Sequence, residues 1–278
     1  MIRIITDTGG DITPQEAKNF GIELANLDVK FDEFSYDYKN DADFSTFYGN
    51  LKKAKALPRT SQVNPTQYLD MFKDAIEKGD DIVVITLSGG LSGTYSSAVT
   101  AKEESGYEAI TVIDSGQVAI SQRILVEYAI KLRDEGKSRV EMEAALTEVR
   151  DRTGFCCCLD TMTYLQKGGR IPPALALIGN ALKIKPVISL VDGKAMPIAK
   201  VRGFQAGVKS ILDLLEKDGY DDNFPVYIGH TDNEERGKSL MEEAKARFNL
   251  KDTKLFPVGY IIGAHAGPDA VAVGYVKK

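Results

Sequence analysis

Short β-branched runs alternate with capped helical segments through the first half of this chain, and that alternation restricts its fold more than any other feature. Ile2-Arg3-Ile4-Ile5 reads as a strand. Thr13-Pro14-Gln15-Glu16 is a capping box with proline at the first helical position, opening a helix that runs to Phe20 and stops at Gly21. Residues 22–31 read as a second strand. Residues 43–54 and 64–77 read as helices, the latter with Asn64 as cap and Pro65 in its first turn. Residues 82–87 form a strand, a helix starts from Ser92, residues 109–113 form another strand, and a further helix follows Asp114. Strands and helices in this order predict an α/β domain around a mostly parallel sheet. Ligands of such sheets sit outside the carboxyl ends of the strands. Asp7-Thr8-Gly9-Gly10-Asp11, the loop from Ser88 and Asp114-Ser115-Gly116 all fall there.

After a charged helix over residues 138–152 the pattern changes. Residues 186–191, Asp192-Gly193 and residues 194–201 read as a hairpin, because Asp-Gly supplies the positive φ angles of a tight turn. Three more strands, at 224–230, 254–258 and 270–276, and helices at 205–217 and 233–248 complete a more antiparallel second half. The 278 residues therefore divide into an N-terminal α/β/α domain, 1–157, and a C-terminal α+β domain, 158–278.

The net charge of −5 argues against a nucleic-acid partner. No run of about 18 apolar residues is present, and the start is too short and too early charged for a signal peptide. A cytoplasmic protein without an integral membrane segment is expected, with transient membrane contact left open. Cys156-Cys157-Cys158 cannot supply the spaced ligands of a zinc site or a disulfide framework, and reads as part of a buried strand. With only two histidines, a multi-histidine metal centre is excluded on count, and neither a metal nor a cofactor is expected.

Chemistry concentrates in a few segments. Thr86-Leu87-Ser88-Gly89-Gly90-Leu91-Ser92-Gly93-Thr94-Tyr95 follows the apolar run Ile82-Val83-Val84-Ile85 and offers hydroxyls and backbone N–H groups at the start of a helix, which suits an anionic group. It is not a P-loop, because Tyr95 stands where lysine should follow the hydroxyl pair. It is a poor nucleophile elbow, because Thr94 replaces the final glycine of G-x-S-x-G. An ordinary turn with Ser92 as N-cap is the plainer alternative. Arg59-Thr60-Ser61-Gln62 precedes the Asn64-capped helix and can point hydroxyls at a ligand. Lys167, Arg170, Lys183, Lys185, Lys200 and Arg202 crowd into residues 167–203, where Asp192 is the one acid, and suit an anion or an acidic partner. His265, between Gly263 and Gly267-Pro268, is expected in a loop that lets it approach a ligand, whereas His230 reads as structural.

Taken in order, Thr60-Ser61-Gln62, Leu91-Ser92-Gly93-Thr94-Tyr95, Asp160-Thr161, Tyr164-Leu165-Gln166-Lys167-Gly168-Gly169-Arg170-Ile171, Lys183-Ile184-Lys185-Pro186, Lys200-Val201-Arg202-Gly203 and Gly263-Ala264-His265-Ala266-Gly267-Pro268 resemble the DegV family. The resemblance implies a two-domain α/β protein that buries a long-chain fatty acid and is not itself an enzyme. It further implies presentation of the acid to a separate ATP-dependent fatty acid kinase, which phosphorylates the carboxylate. By the same resemblance Thr60 and Ser92 hydrogen-bond the carboxylate, with Ser61 and Ser88 nearby and His265 completing the site. Arg170 and Arg202 face the kinase or stabilise the acyl phosphate. Leu175, Leu177, Ile178, Leu182 and Ile184 are candidates for the acyl tunnel, although core packing explains them equally well. One departure is Gly89, where such sequences usually carry a second serine. Two rival readings stand beside this one. The first is a serine hydrolase using Ser92 and His265, with Asp7, Asp11 or Asp114 as third member. The second is an interaction module that binds no lipid.

Overall fold

The computed structural model describes residues 1–31, 34–36, 44–172, 174–175 and 184–278. In chain order the elements are β1 (Ile2–Asp7), α1 (Pro14–Phe20), β2 (Glu23–Ala25), β3 (Asp28–Phe31), β4 (Phe34–Tyr36), α2 (Phe44–Lys53), β5 (Arg59–Ser61) and α3 (Pro65–Lys78). They continue with β6 (Asp81–Thr86), α4 (Thr94–Ser105), β7 (Ile110–Asp114), α5 (Ala119–Asp134), α6 (Arg139–Arg152), β8 (Thr153–Cys158) and α7 (Thr163–Lys167). The last are β9 (Ile184–Val191), β10 (Lys194–Arg202), α8 (Phe204–Asp218), β11 (Val226–His230), α9 (Glu234–Phe248), β12 (Thr253–Pro257), α10 (Tyr260–Ala266) and β13 (Val271–Val276).

The first sheet is parallel, in the order β2-β1-β6-β7. Its central strand β6 is buried on both faces, which is why Ile82 to Ile85 form an unbroken apolar run instead of alternating. Ile82 and Val84 pack with Tyr68 and Phe72 of α3, whereas Val83 and Ile85 face Ile120 and Ile124 of α5. The expected capping box forms at Thr13, a second forms at Ser138 with Glu141, and Asn64 caps α3 by accepting the Gln67 N–H at 2.9 Å.

Residues 22–31 do not make one strand. They split into β2 of the parallel sheet and β3 of a small antiparallel sheet, β4-β3-β5. At the break the Leu27 N–H donates to Thr8 Oγ1 at 3.1 Å, a tertiary bond that period-two patterning cannot foresee.

The second sheet has the order β10-β9-β8-β13-β11-β12 and is antiparallel except for the β11–β12 pair. Asp192 and Gly193 take φ of 49° and 70°, the left-handed geometry expected of the β9–β10 turn. The three cysteines are free and buried in β8, and burial pushes the Cys158 thiol up to about 11, so they act as small packing groups. The division at 157/158 falls at the end of β8, whose hydrogen-bonded neighbours are β9 and β13. Between the two sheets lies α5, with ten of its 16 residues buried. One apolar cluster runs from Ile4 and Val83 through α5 to Phe155, Cys157 and Ala272.

Two carboxylates are buried at the head of the first sheet. Burial pushes Asp7 up to about 6, although the Leu87 and Gly9 N–H groups donate to it at 2.7 and 2.8 Å and Gln122 Nε2 at 3.2 Å. Burial likewise pushes Asp11 up to about 7, against the Gly259 N–H at 2.9 Å and the charge of Arg123. Both values lie above the ordinary 3.8, so the folded chain holds protons that the unfolded chain releases. These groups therefore make stability fall as pH rises from about 4 to about 7, and then level off. Asp11→Asn, which suits the left-handed φ of 53° there, is expected to flatten part of that fall. Urea midpoints at acidic and mildly alkaline pH check it, and an undiminished difference in the variant refutes it.

Candidate functional site

The polar end of the site is assembled from four separate segments. Strand β6 ends at Thr86, and the loop after it delivers Ser92. Ser92 is not the N-cap and does not begin the helix: α4 starts at Thr94, with Gly93 as an N-cap that makes no side-chain capping bond. The Ser92 hydroxyl instead accepts the Thr94 N–H at 3.3 Å and shares a 2.9 Å hydrogen bond with Thr94 Oγ1. Thr94 Oγ1 also accepts the Val63 N–H at 3.3 Å, which docks the segment after β5 onto this loop.

Strand β5 carries Thr60, held by pairing with Val29 of β3. Thr60 Oγ1 lies 2.9 Å from Nε2 of His265. The histidine stands in the last turn of α10, not in the loop that its glycine neighbours suggested. The two glycines do not interrupt α10, because Gly263 lies inside its hydrogen-bonded turns and Gly267 is its C-cap with φ of 73°. Burial, with the positive charge of Arg170 adding, pushes the His265 pKa down to about 4. The ring is therefore neutral near pH 7 and serves as a hydrogen-bonding group. Its Nδ1 is buried and has no hydrogen-bond partner among the described residues.

The loop after α7 closes over this ring. A Cβ at Gly168 would lie 2.3 Å from His265 Nδ1, so only glycine lets the backbone approach so closely. Arg170 follows, its Nη1 donating to Gly168 O at 2.6 Å and its Nε to Leu91 O at 3.3 Å.

Thr60, Ser61, Gln62, Ser92, Arg170 and His265 line one cavity of about 740 Å³, counting its mouth. The rest of its wall is largely apolar and includes Phe155, Cys157, Ile188, Leu190 and Ala195 from β8, β9 and β10. A smaller cavity of about 300 Å³ shares Phe155, Cys157, Leu159, Ile262 and Ala266 with it. A largely apolar recess with a few convergent polar groups is the usual form of a small-molecule site.

The structure thus brings Thr60, Ser61, Ser92, His265 and Arg170 to one cavity, and places Ser88 and Arg202 elsewhere. Ser88 is fully buried; its hydroxyl donates to Gly193 O at 2.7 Å and accepts the Gly90 N–H at 3.1 Å, clasping the β9–β10 turn. Arg202 is exposed at the end of β10. Of the tail candidates, Leu175 packs on the core between the sheets and Ile184 is half-buried at the start of β9. Leu177, Ile178 and Leu182 lie outside the described residues, as does Lys183. Within the basic window, Lys185 is paired with Asp160 at 2.5 Å. His230 is half-buried and lines the smaller cavity, and burial lowers its pKa.

The cavity-lining residues of β8 and β9 were not among the tail candidates. Their signal was the alternation Phe155, Cys157, Leu159, which a strand places on one face. Gly89 also finds its account. Its N–H donates to Asp114 at 3.1 Å, and a Cβ there would sit 2.8 Å from Asp114 Oδ2. A serine at 89 would meet Asp114, and neither residue lines the cavity.

The arrangement does not support a Ser92–His265 hydrolase. His265 is hydrogen-bonded to Thr60 and Ser92 to Thr94, so nucleophile and base are not paired. Asp7 and Asp11 accept backbone N–H groups at Leu87 and Gly259, and Asp114 accepts those of Gly89 and Gly116, so none orients the imidazole. Among the described residues no cluster of His, Cys, Asp or Glu could hold a metal, and no helix is long and apolar enough to cross a membrane.

Comparison with known proteins fits this geometry. The DegV family model, described as "Uncharacterised protein, DegV family", matches residues 1–278. A DegV domain-containing protein of Caldanaerobacter subterraneus is 33% identical over 280 residues, covering 100% of this chain and 99% of the relative. The structure titled "Fatty Acid Binding of a DegV family Protein from Thermus thermophilus" superposes with a TM-score of 0.90 at 25% identity, covering 100% of this chain and 99% of that one. The Fatty Acid Kinase B3 protein of Streptococcus pneumoniae, loaded with linoleic acid, shares the fold with a TM-score of 0.86 at 24% identity, covering all of both chains. Matched from its first residue to its last, and folded as these relatives are, the chain belongs to the DegV family.

Proposed function

We propose that this protein binds a long-chain fatty acid, with the carboxylate at Thr60, Ser92 and His265 and the acyl chain along the apolar wall of β8 and β9. The observation that carries this reading is the Thr60–His265 contact of 2.9 Å at the polar side of an otherwise apolar cavity. Hydroxyls and a neutral imidazole are sufficient donors for a single negative charge. Fatty-acid binding by the Thermus thermophilus relative supports the ligand class.

The second half of the proposal is that the bound acid is presented to a separate fatty acid kinase. It rests on the family resemblance, on the fold shared with the Streptococcus pneumoniae protein and on the two arginines. Arg170, on the cavity wall beside His265, suits the added charge of an acyl phosphate. Arg202, exposed on β10, suits contact with the kinase. Arg202→Ala is expected to leave fatty-acid affinity unchanged and to slow acyl-phosphate formation by an added kinase. Lost lipid binding in that variant overturns the partner-facing role.

Native mass spectrometry of the purified protein tests the first half. A bound species of fatty-acid mass, and saturable binding of palmitic, stearic or linoleic acid after delipidation, are expected. A protein that binds none of them is an interaction module instead. Turnover of acyl esters, abolished by Ser92→Ala, would restore the hydrolase.

A further inference from the structure

One five-residue turn, residues 7–11, touches the root of each segment that carries a head-group side chain. Leu87 N–H donates to Asp7 Oδ2 at 2.7 Å, five positions before Ser92. Leu27 N–H donates to Thr8 Oγ1 at 3.1 Å, just before β3, the strand that pairs with Thr60. Gly259 N–H donates to Asp11 Oδ1 at 2.9 Å, and Gly259 is the N-cap of α10, which carries His265. Asp7 and Thr8 are fully buried and Asp11 is 3% exposed, and none of the three lines the cavity.

Each of these N–H groups sits at the edge of an element, where regular backbone pairing leaves it unmatched, so a buried acceptor is required there. Folding alone does not require all three acceptors to come from one turn. Having them on consecutive and near-consecutive residues makes the positions of Thr60, Ser92 and His265 depend on a single short piece of backbone. We propose that Asp7, Thr8 and Asp11 are positioning residues for the head-group site, fixing the spacing of its three donors. This rests on the reading that the cavity holds a carboxylate. Donors aimed at one anionic group lose most of their advantage when displaced by a fraction of an ångström to 1 Å.

The test compares linoleic acid with linoleyl alcohol, whose identical tails cancel in the ratio of affinities. Thr8→Val keeps the side-chain shape and removes the acceptor, and Thr8→Ser restores it; Asp11→Ala and Asp11→Asn form a second pair. In Thr8→Val and Asp11→Ala the acid-to-alcohol preference is expected to fall by about tenfold or more, and to return in Thr8→Ser and largely in Asp11→Asn. A preference equal to wild type in the folded variants overturns the positioning role, as does a loss that Thr8→Ser leaves unrepaired. Should Asp11→Ala not fold, the near-isosteric Thr8 pair decides. Wild-type protein that binds neither ligand overturns the fatty-acid reading, and this inference with it. Wild-type protein that prefers the acid, beside variants that also do, overturns the positioning role alone.

Discussion

Protein carrying Thr60→Ala together with Ser92→Ala is expected to lose most of its affinity for a fatty acid while keeping its fold. Each hydrogen bond to a charged carboxylate contributes about 1.5–3 kcal/mol, so each single change should weaken binding by roughly 10-fold to 150-fold. The apolar wall along β8 and β9 is untouched, so residual binding should be carried mainly by that wall, with the preference for the acid over its alcohol much reduced and resting on His265. Thr60 also holds His265 Nε2 at 2.9 Å, so Thr60→Ala and His265→Ala should be less than additive when combined. Isothermal titration of the two singles and the double provides the check. Unchanged affinity in the double variant would remove Thr60 and Ser92 from the head-group site.

Phe47→Ala is expected to give the largest loss of stability, about 3–5 kcal/mol for a fully buried aromatic. Phe47 packs edge-on against Tyr48, with centroids 5.1 Å apart, and at a tilt against Tyr260, 5.3 Å away. Tyr260 is the first residue of α10, and the Tyr48 hydroxyl donates to Val258 O at 2.8 Å just before it. The hole left by alanine therefore opens beneath the helix that carries His265, and fatty-acid affinity should fall as well. Urea denaturation measures the first effect. A loss below about 1 kcal/mol would mean that α10 settles into the space, since the cost of such a cavity depends on how far its walls can collapse.

Much of this fold was legible because its signals are local. Thr13 with Glu16, Asn64 with Pro65, and Asp192-Gly193 each specify a cap or a turn from adjacent residues, and each forms as read. Residues 22–31 were misread because what divides them is Thr8, a residue remote in sequence that captures the Leu27 N–H. His265 was misread for a related reason: glycines at 263 and 267 signal a loop, but both are compatible with a short helix once one lies within its turns and the other caps it. At the site, the polar residues were visible as motifs and the apolar wall was not. Phe155 and Cys157 look like any other core residues until β8 is placed between β9 and β13. Ser88 shows the reverse limit, since a hydroxyl four residues from Ser92 can be spent entirely on a turn 105 residues away.

Helix α5 lies between the two sheets and is covered from both sides. A chain cut near residue 157 would leave Ile120 and Ile124 beside the first sheet without Ile188, Tyr227 and Ala272 in the cluster they share, and neither fragment would be closed to water. The two halves should therefore melt in a single transition, with the slowest-exchanging amides of both sheets sharing one opening free energy. For a ligand lying against β8 this has a kinetic meaning. A full parting of the sheets would require nearly global unfolding, so a fatty acid held there as proposed is expected to exchange through small local displacements at the cavity rim.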